Sequence, residues 1–145
     1  MSPGTEIDDD YPTCERTYAT LRIFRDDLDP DSVTRTLGIE PTRVQVKEQP
    51  STNRFGGVRV PEIGGWLLST EGQVTSRDVR RHLLWLLDKL AGSDHSLGCL
   101  RMAGCRIDVF CFWLSAEGHG GPTLSPEIMK RLGELGLEVG FDVYG

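Results

Sequence analysis

His95 and Cys99 stand four residues apart, one turn of a helix, and Cys105 and Cys111 follow at intervals of six. Imidazole and thiolate together can hold zinc, but zinc sites favour closer pairs such as Cys-x2-Cys, so this spacing argues against a metal. Asp27, Asp29 and Asp31 alternate like the opening of a calcium loop. The glycine at its sixth position and the glutamate at its twelfth are missing, and helix capping accounts for two of the three acids. Glu117 and His119 form a candidate acid–base pair, but nothing sets a nucleophile beside them and no Gly-x-Ser-x-Gly elbow occurs. His82 flanks an apolar helical stripe, the ordinary place for a structural histidine. Arg54 and Arg59 lie in a glycine-rich stretch and could close on an anion; no Lys-Ser/Thr follows those glycines, so this is not a P-loop. No catalytic residue, metal or cofactor is expected, and the chain reads as a non-enzyme.

The elements that would position such groups are organised around CRIDVFCFWL, Cys105 to Leu114. Period-2 alternation sends Cys105, Ile107, Val109, Cys111 and Trp113 to one face of a sheet, and Arg106, Asp108, Phe110 and Phe112 to the other. The first set is core; the second mixes charge with aromatic rings. Tyr18 to Arg25 is an earlier strand with Ala19, Leu21 and Ile23 inward and Thr20, Arg22 and Phe24 outward. LDPDSVTRTLG carries a helix start: Asp29 as cap, Pro30 at the first helical position, a Leu28–Val33 staple, and Gly38 as terminator. Ile39 to Lys47 reads as a weaker strand with Val44 and Val46 inward.

Residues 48–65 hold two Gly-Gly pairs and two prolines and read as a long loop. Trp66 to Thr70 is a short strand. Thr75 or Ser76 then caps a helix whose Val79, Leu83, Leu86, Leu87 and Leu90 share one face. Trp85 points away from that face, to be covered by a neighbouring segment or left as an anchor. Residues 92–104 read as a turn and a short irregular helix with Leu97, Leu100 and Met102 inward. LSPEIMKRLGELGLE repeats the earlier helix grammar with Ser125 and Pro126, and LEVGFDVYG closes as a strand.

The order β-α-β-β-α-β-α-β predicts an α+β, two-layer sandwich. It is expected to have a largely antiparallel sheet of about five strands and three helices on one face, in the ferredoxin-like order β-α-β-β-α-β extended by α-β. Residues 1–16 read as a mobile acidic tail and 17–145 as a single domain. The bare sheet face would carry Thr20, Arg22, Phe24, Arg43, Gln45, Arg106, Asp108, Phe110, Phe112, Asp142 and Tyr144. So many rings exceed what a monomer usually leaves exposed. The 48–65 loop, a second copy of the chain, or a foreign partner would cover them.

The chain has 145 residues, net charge −6 and four cysteines. A domain of this length buries roughly 70% of its unfolded surface, so it needs no disulfide staples. The acidity opposes nucleic-acid binding and suits a basic partner. Aromatics on an open sheet are also used to stack RNA bases, but the charge and the lack of a matching strand motif disfavour that reading. No membrane span or leader peptide is expected, and reduced, buried thiols suit a cytoplasmic setting.

LRIFRDDLDPDSVTRTLGIEPT, the tryptophan of GGWLLST, the helix RRHLLWLLDKL and the ending LSPEIMKRLGELGLEVGFDVYG, with the spacing among them, resemble a bacterial family known as domain of unknown function 4279. The resemblance runs from Tyr18 to the end. It implies the α+β fold and a bacterial cytosolic setting, and it brings no catalytic residues. The expected function is a protein-interaction module, with the toxin-neutralising immunity type as one member of that class. The alternative is a small-ligand or anion-binding regulatory domain using Arg54 and Arg59. The candidate partner surface is Arg22, Phe24, Arg106, Phe110, Phe112 and Tyr144, facing another protein or a second copy.

Overall fold

Two sequence signals do most to place the backbone: helix caps and glycine pairs. In the computed structural model, which describes residues 7–52 and 55–145, the first strand is β1, Cys14–Arg25. Asp29 then caps α1, Pro30–Leu37, by accepting from the Asp31 N–H, and Gly38 ends it at φ 70°. Three short strands follow, β2 Arg43–Gln45, β3 Ser51–Thr52 and β4 Val58–Arg59, and then β5, Gly64–Ser69. Next come α2 Val79–Lys89, α3 Asp94–Met102, β6 Arg106–Ser115, α4 Pro126–Glu134 and β7 Glu138–Tyr144.

Five strands form one sheet in the order β2-β5-β1-β6-β7, and β3 pairs only with β4. The pairs β2–β5, β5–β1 and β1–β6 are antiparallel. β6–β7 is parallel, because α4 carries the chain back along the sheet before β7 begins. The fold is therefore α+β with a mixed sheet and four helices, where a largely antiparallel sheet and three helices were expected. The fourth helix is α3, the short helix expected within 92–104: Leu97 and Leu100 give it a buried side, while Met102 is 92% exposed, not inward.

Ala19, Leu21 and Ile23 of β1, Trp66 and Leu68 of β5, and Val109 and Cys111 of β6 pack with Val33, Val79, Leu83, Leu86, Leu87, Ile128 and Leu132 of the helices in one core. The helices thus cover the sheet face those strand residues share. At about 1.5–3 kcal/mol per buried large aliphatic side chain, this is the main source of stability. Trp85 is half-buried against the same core, and Lys89 Nζ lies 5.1 Å from its ring centre.

The edge strand β2 is shorter than the 39–47 strand expected. Its Val44 is 47% exposed, and Val46 just beyond it is 38% exposed. These valines sit at the sheet's outer rim, where only one neighbouring strand flanks them. The 48–65 stretch is not wholly irregular: Ser51 pairs with Arg59 and Thr52 with Val58. Gly64 and Gly65 belong to β5, because the backbone there comes too close to its neighbours for a side chain. A Cβ on Gly64 would lie 2.7 Å from Leu28 Cβ and 2.8 Å from Leu28 N.

Over its described part, 7–16, the acidic leader makes specific contacts with the rest of the chain. Asp8 N–H donates to Asp78 (2.9 Å), and the Asp9 carboxylate accepts from Ser76 Oγ and Arg81 Nε. Tyr11 packs edge-on to buried Trp113, and its hydroxyl donates to Gly121 O (2.7 Å). The cap of α2 is Asp78, not Thr75 or Ser76; it accepts from Arg80 N–H and is fully buried. Burial pushes the Asp78 carboxyl up, but hydrogen bonds from Arg80 and from the Asp8 and Arg80 N–H groups outweigh it and hold the group below its ordinary range.

His82 is buried between α2 and the sheet. Its Nε2 lies 2.8 Å from Ser76 O, a carbonyl that can only accept, so Nε2 carries the proton. Nδ1 then accepts from Thr70 Oγ1 (2.6 Å), which itself accepts from Ala19 N–H (2.9 Å). Burial lowers the His82 pKa. The unfolded chain therefore binds more protons than the native one below the histidine's ordinary value, about 6.5. Stability from this group is complete above that pH and declines as pH falls toward the folded value. We expect His82→Ala to cost about 2–4 kcal/mol, since it opens a cavity and orphans the Thr70 hydroxyl. Thermal melts at several pH values should show the variant lacking the part of the acid-side decline that begins near pH 6.5.

Candidate functional site

The strand register sets the far face of the sheet. Tyr18, Thr20, Arg22 and Phe24 of β1 stand opposite Phe112, Phe110, Asp108 and Arg106 of β6. Across the next pair, Asp108, Phe110, Phe112 and Leu114 stand beside Glu138, Gly140, Asp142 and Tyr144. Every residue of the expected partner surface therefore lies on this one face, opposite the helices. None of the six is buried: Arg106 and Tyr144 are exposed and the other four are intermediate.

Two clusters make up the face. In the first, Phe112 stacks on Tyr18 (ring centres 5.0 Å, planes 17° apart) and meets Tyr144 at 5.5 Å. The three rings run from β1 across β6 to β7. Such pairs contribute about 0.5–1.5 kcal/mol beyond area burial. Tyr144 donates to Asp142 (2.8 Å), and that bond raises its phenol pKa.

In the second cluster, Arg22 makes a two-point hydrogen bond to Asp108 (2.7 and 2.8 Å). The same carboxylate raises the Arg22 pKa against the opposing effect of burial. The guanidinium lies 4.4 Å from the Phe110 ring centre and 5.6 Å from that of Phe24. Both rings lie close over glycines: a Cβ on Gly65 would come within 2.9 Å of Phe24, and one on Gly140 within 3.2 Å of Phe110. A glycine beside a ring on the neighbouring strand lets the ring lie down on the backbone. A groove of about 630 Å³ runs along this cluster, with Ile63 and Glu138 at its margins.

Tyr18 is the surface residue the sequence reading passed over. It shares parity with Thr20, Arg22 and Phe24, and that signal was sufficient to place it. Arg59 sits on exposed β4, opposite Ser51. Arg54 lies outside the described residues, so the anion pair gains no geometry. Phe55, Val58 and Val60 in the 48–65 stretch are exposed.

The remaining chemistry-bearing groups are scattered. All four cysteines are free thiols: Cys14, Cys105 and Cys111 are buried and Cys99 is exposed. Burial pushes the Cys111 thiol up to about 12. Cys99 Sγ is 3.6 Å from His95 Nε2, and His119 is 3.5 Å from Glu117 with both side chains mostly exposed. Among the described residues, no group of three or more His, Cys, Asp or Glu is placed to hold a metal ion. No helix among them is long and apolar enough to cross a membrane.

No curated protein and no solved structure matches the chain. One family model does, described as domain of unknown function (DUF4279), and it matches residues 15–145, from the second residue of β1 through the end of β7. That span holds the whole sheet register and both ring clusters, and the chain belongs to the DUF4279 family.

Proposed function

We propose that this protein is a non-enzymatic interaction module, a two-layer sandwich whose aromatic sheet face is the contact surface for another protein. One observation carries the reading: Tyr18, Phe112 and Tyr144 stack in a row across three strands on the face that the helices leave uncovered. Rigid aromatic rings give large contact area at low cost in conformational entropy, and they dominate the energetics of protein interfaces. The Arg22–Asp108 pair beside them is already satisfied internally. A partner can cover it without leaving a bare charge, the costly outcome at interfaces.

The net charge of −6 favours a basic partner. A toxin-neutralising immunity protein of a bacterial cytoplasm is one member of this class. The test is recovery of a stoichiometric partner with the tagged chain, compared with the Tyr18→Ala/Tyr144→Ala double variant. Loss of the partner in the double variant supports the reading; equal recovery of it refutes the face as the contact surface.

A further inference from the structure

The two edges of the sheet are unlike. β2 has three residues and is bracketed by Arg43 and Lys47, the short cationic form that discourages strand pairing. β7 has seven residues, no proline and no lysine, and pairs with β6 without a register shift. No backbone group of residues 138–144 makes a described hydrogen bond outside that ladder. Val143 and Tyr144 on this strand are 54% and 49% exposed.

We propose that β7 pairs antiparallel with β7 of a second copy about a two-fold axis, joining two sheets into one of ten strands, five from each copy. An axis normal to the sheet makes the edges antiparallel and keeps both aromatic faces on the same side. The charge pattern selects one register. Centring on Gly140 would set Glu138 opposite Asp142, and centring on Asp142 would set that carboxylate against its own copy. Like charges directly opposite destabilise a strand pair. Centring on Phe141 sets Glu138 opposite Tyr144, Gly140 opposite Asp142, and exposed Val143 opposite Val139. Of the registers about this axis that pair at least five residues of the strand, only this one sets no like charges directly opposite, which points to a second copy as its occupant. This dimer forms at the sheet edge and does not depend on the partner-surface reading, since it flanks Tyr144 only at the edge and leaves the sheet face that carries the rings open.

The test is sedimentation equilibrium of the purified full chain over a wide concentration range, with hydrogen exchange of the β7 amides. The expected result is a reversible dimer of the 16.1 kDa chain, with β7 protection rising with concentration. Val143→Lys, at a site too exposed to disturb the core, is expected to weaken the dimer at least 10-fold while leaving the Tm of the dilute, monomeric chain unchanged. Glu138→Lys brings a cation diagonal to Asp142 of the other copy and is expected to tighten it. A strictly monomeric chain with unprotected β7 amides, or a dimer indifferent to Val143→Lys, overturns the proposal. Protection of β7 that needs an added foreign protein, and not concentration, also overturns it.

Discussion

Replacing Tyr18 and Tyr144 together by alanine is expected to lower affinity for the partner by about 100-fold or more, while Tm falls by roughly 3–10 °C. The two effects separate because of where the rings sit. Tyr18 and Tyr144 are the ends of the row and each meets Phe112; Tyr18 also has the Arg16 guanidinium 5.4 Å from its ring centre. Their removal takes a stacking contribution of about 0.5–1.5 kcal/mol each from the folded state. In a complex the same rings would be fully desolvated, where an aromatic anchor is worth about 2 kcal/mol or more. Phe110 is a poorer choice for the test. It lies over Gly140 with Arg22 above it, so its loss would disturb the Arg22–Asp108 pair and confuse binding with stability. Isothermal titration alongside thermal melts reads both quantities.

Gly64→Ala is expected to be the most destabilising single-methyl change among the strand glycines, at about 2–3 kcal/mol or a Tm loss of roughly 5–10 °C. The added carbon would fall 2.7–2.9 Å from the Cβ, N and O of Leu28. Two of those three atoms are backbone, and Leu28 is itself buried beside the capped start of α1. Relief would require β5 and the β1–α1 connection to part. Gly65→Ala meets the ring edge of Phe24 at 2.9 Å and the Gln45 side chain, which can rotate aside, so its cost should be smaller. Denaturant melts of the two variants check the ranking.

These glycines mark the boundary of what the sequence could reveal. Alternation along β1 and β6 was enough to place Arg22, Phe24, Arg106, Phe110 and Phe112 on one face, because period 2 leaves no freedom once a strand is recognised. The caps at Asp29 and Ser125 were legible for a similar reason: each is followed by proline at the first helical position. Gly64 and Gly65 were misread as loop because composition records a missing side chain but not what occupies its place. Asp78 was missed as a cap because Thr75, Ser76 and Asp78 are all good cap residues, and only burial beside Asp8 and Arg80 separates them. The parallel β6–β7 pair needed the crossover through α4 to be followed in space. The docking of Asp9 and Tyr11 rests on contacts with residues 76–81 and 113–123, which no local pattern contains.

The sheet face and the helix layer can be compared in one experiment, because each carries its own reporters. Hydroxyl-radical footprinting of the chain, alone and with its partner, would read Tyr18, Phe112 and Tyr144 on the bare face against Met102 and Met129 on the helices, which are 92% and 50% exposed. A contact surface on the sheet face requires that the partner slow oxidation of the three rings and leave both methionines unchanged. Protection of the methionines with the rings unaffected would place the contact on the opposite side of the molecule and contradict that requirement.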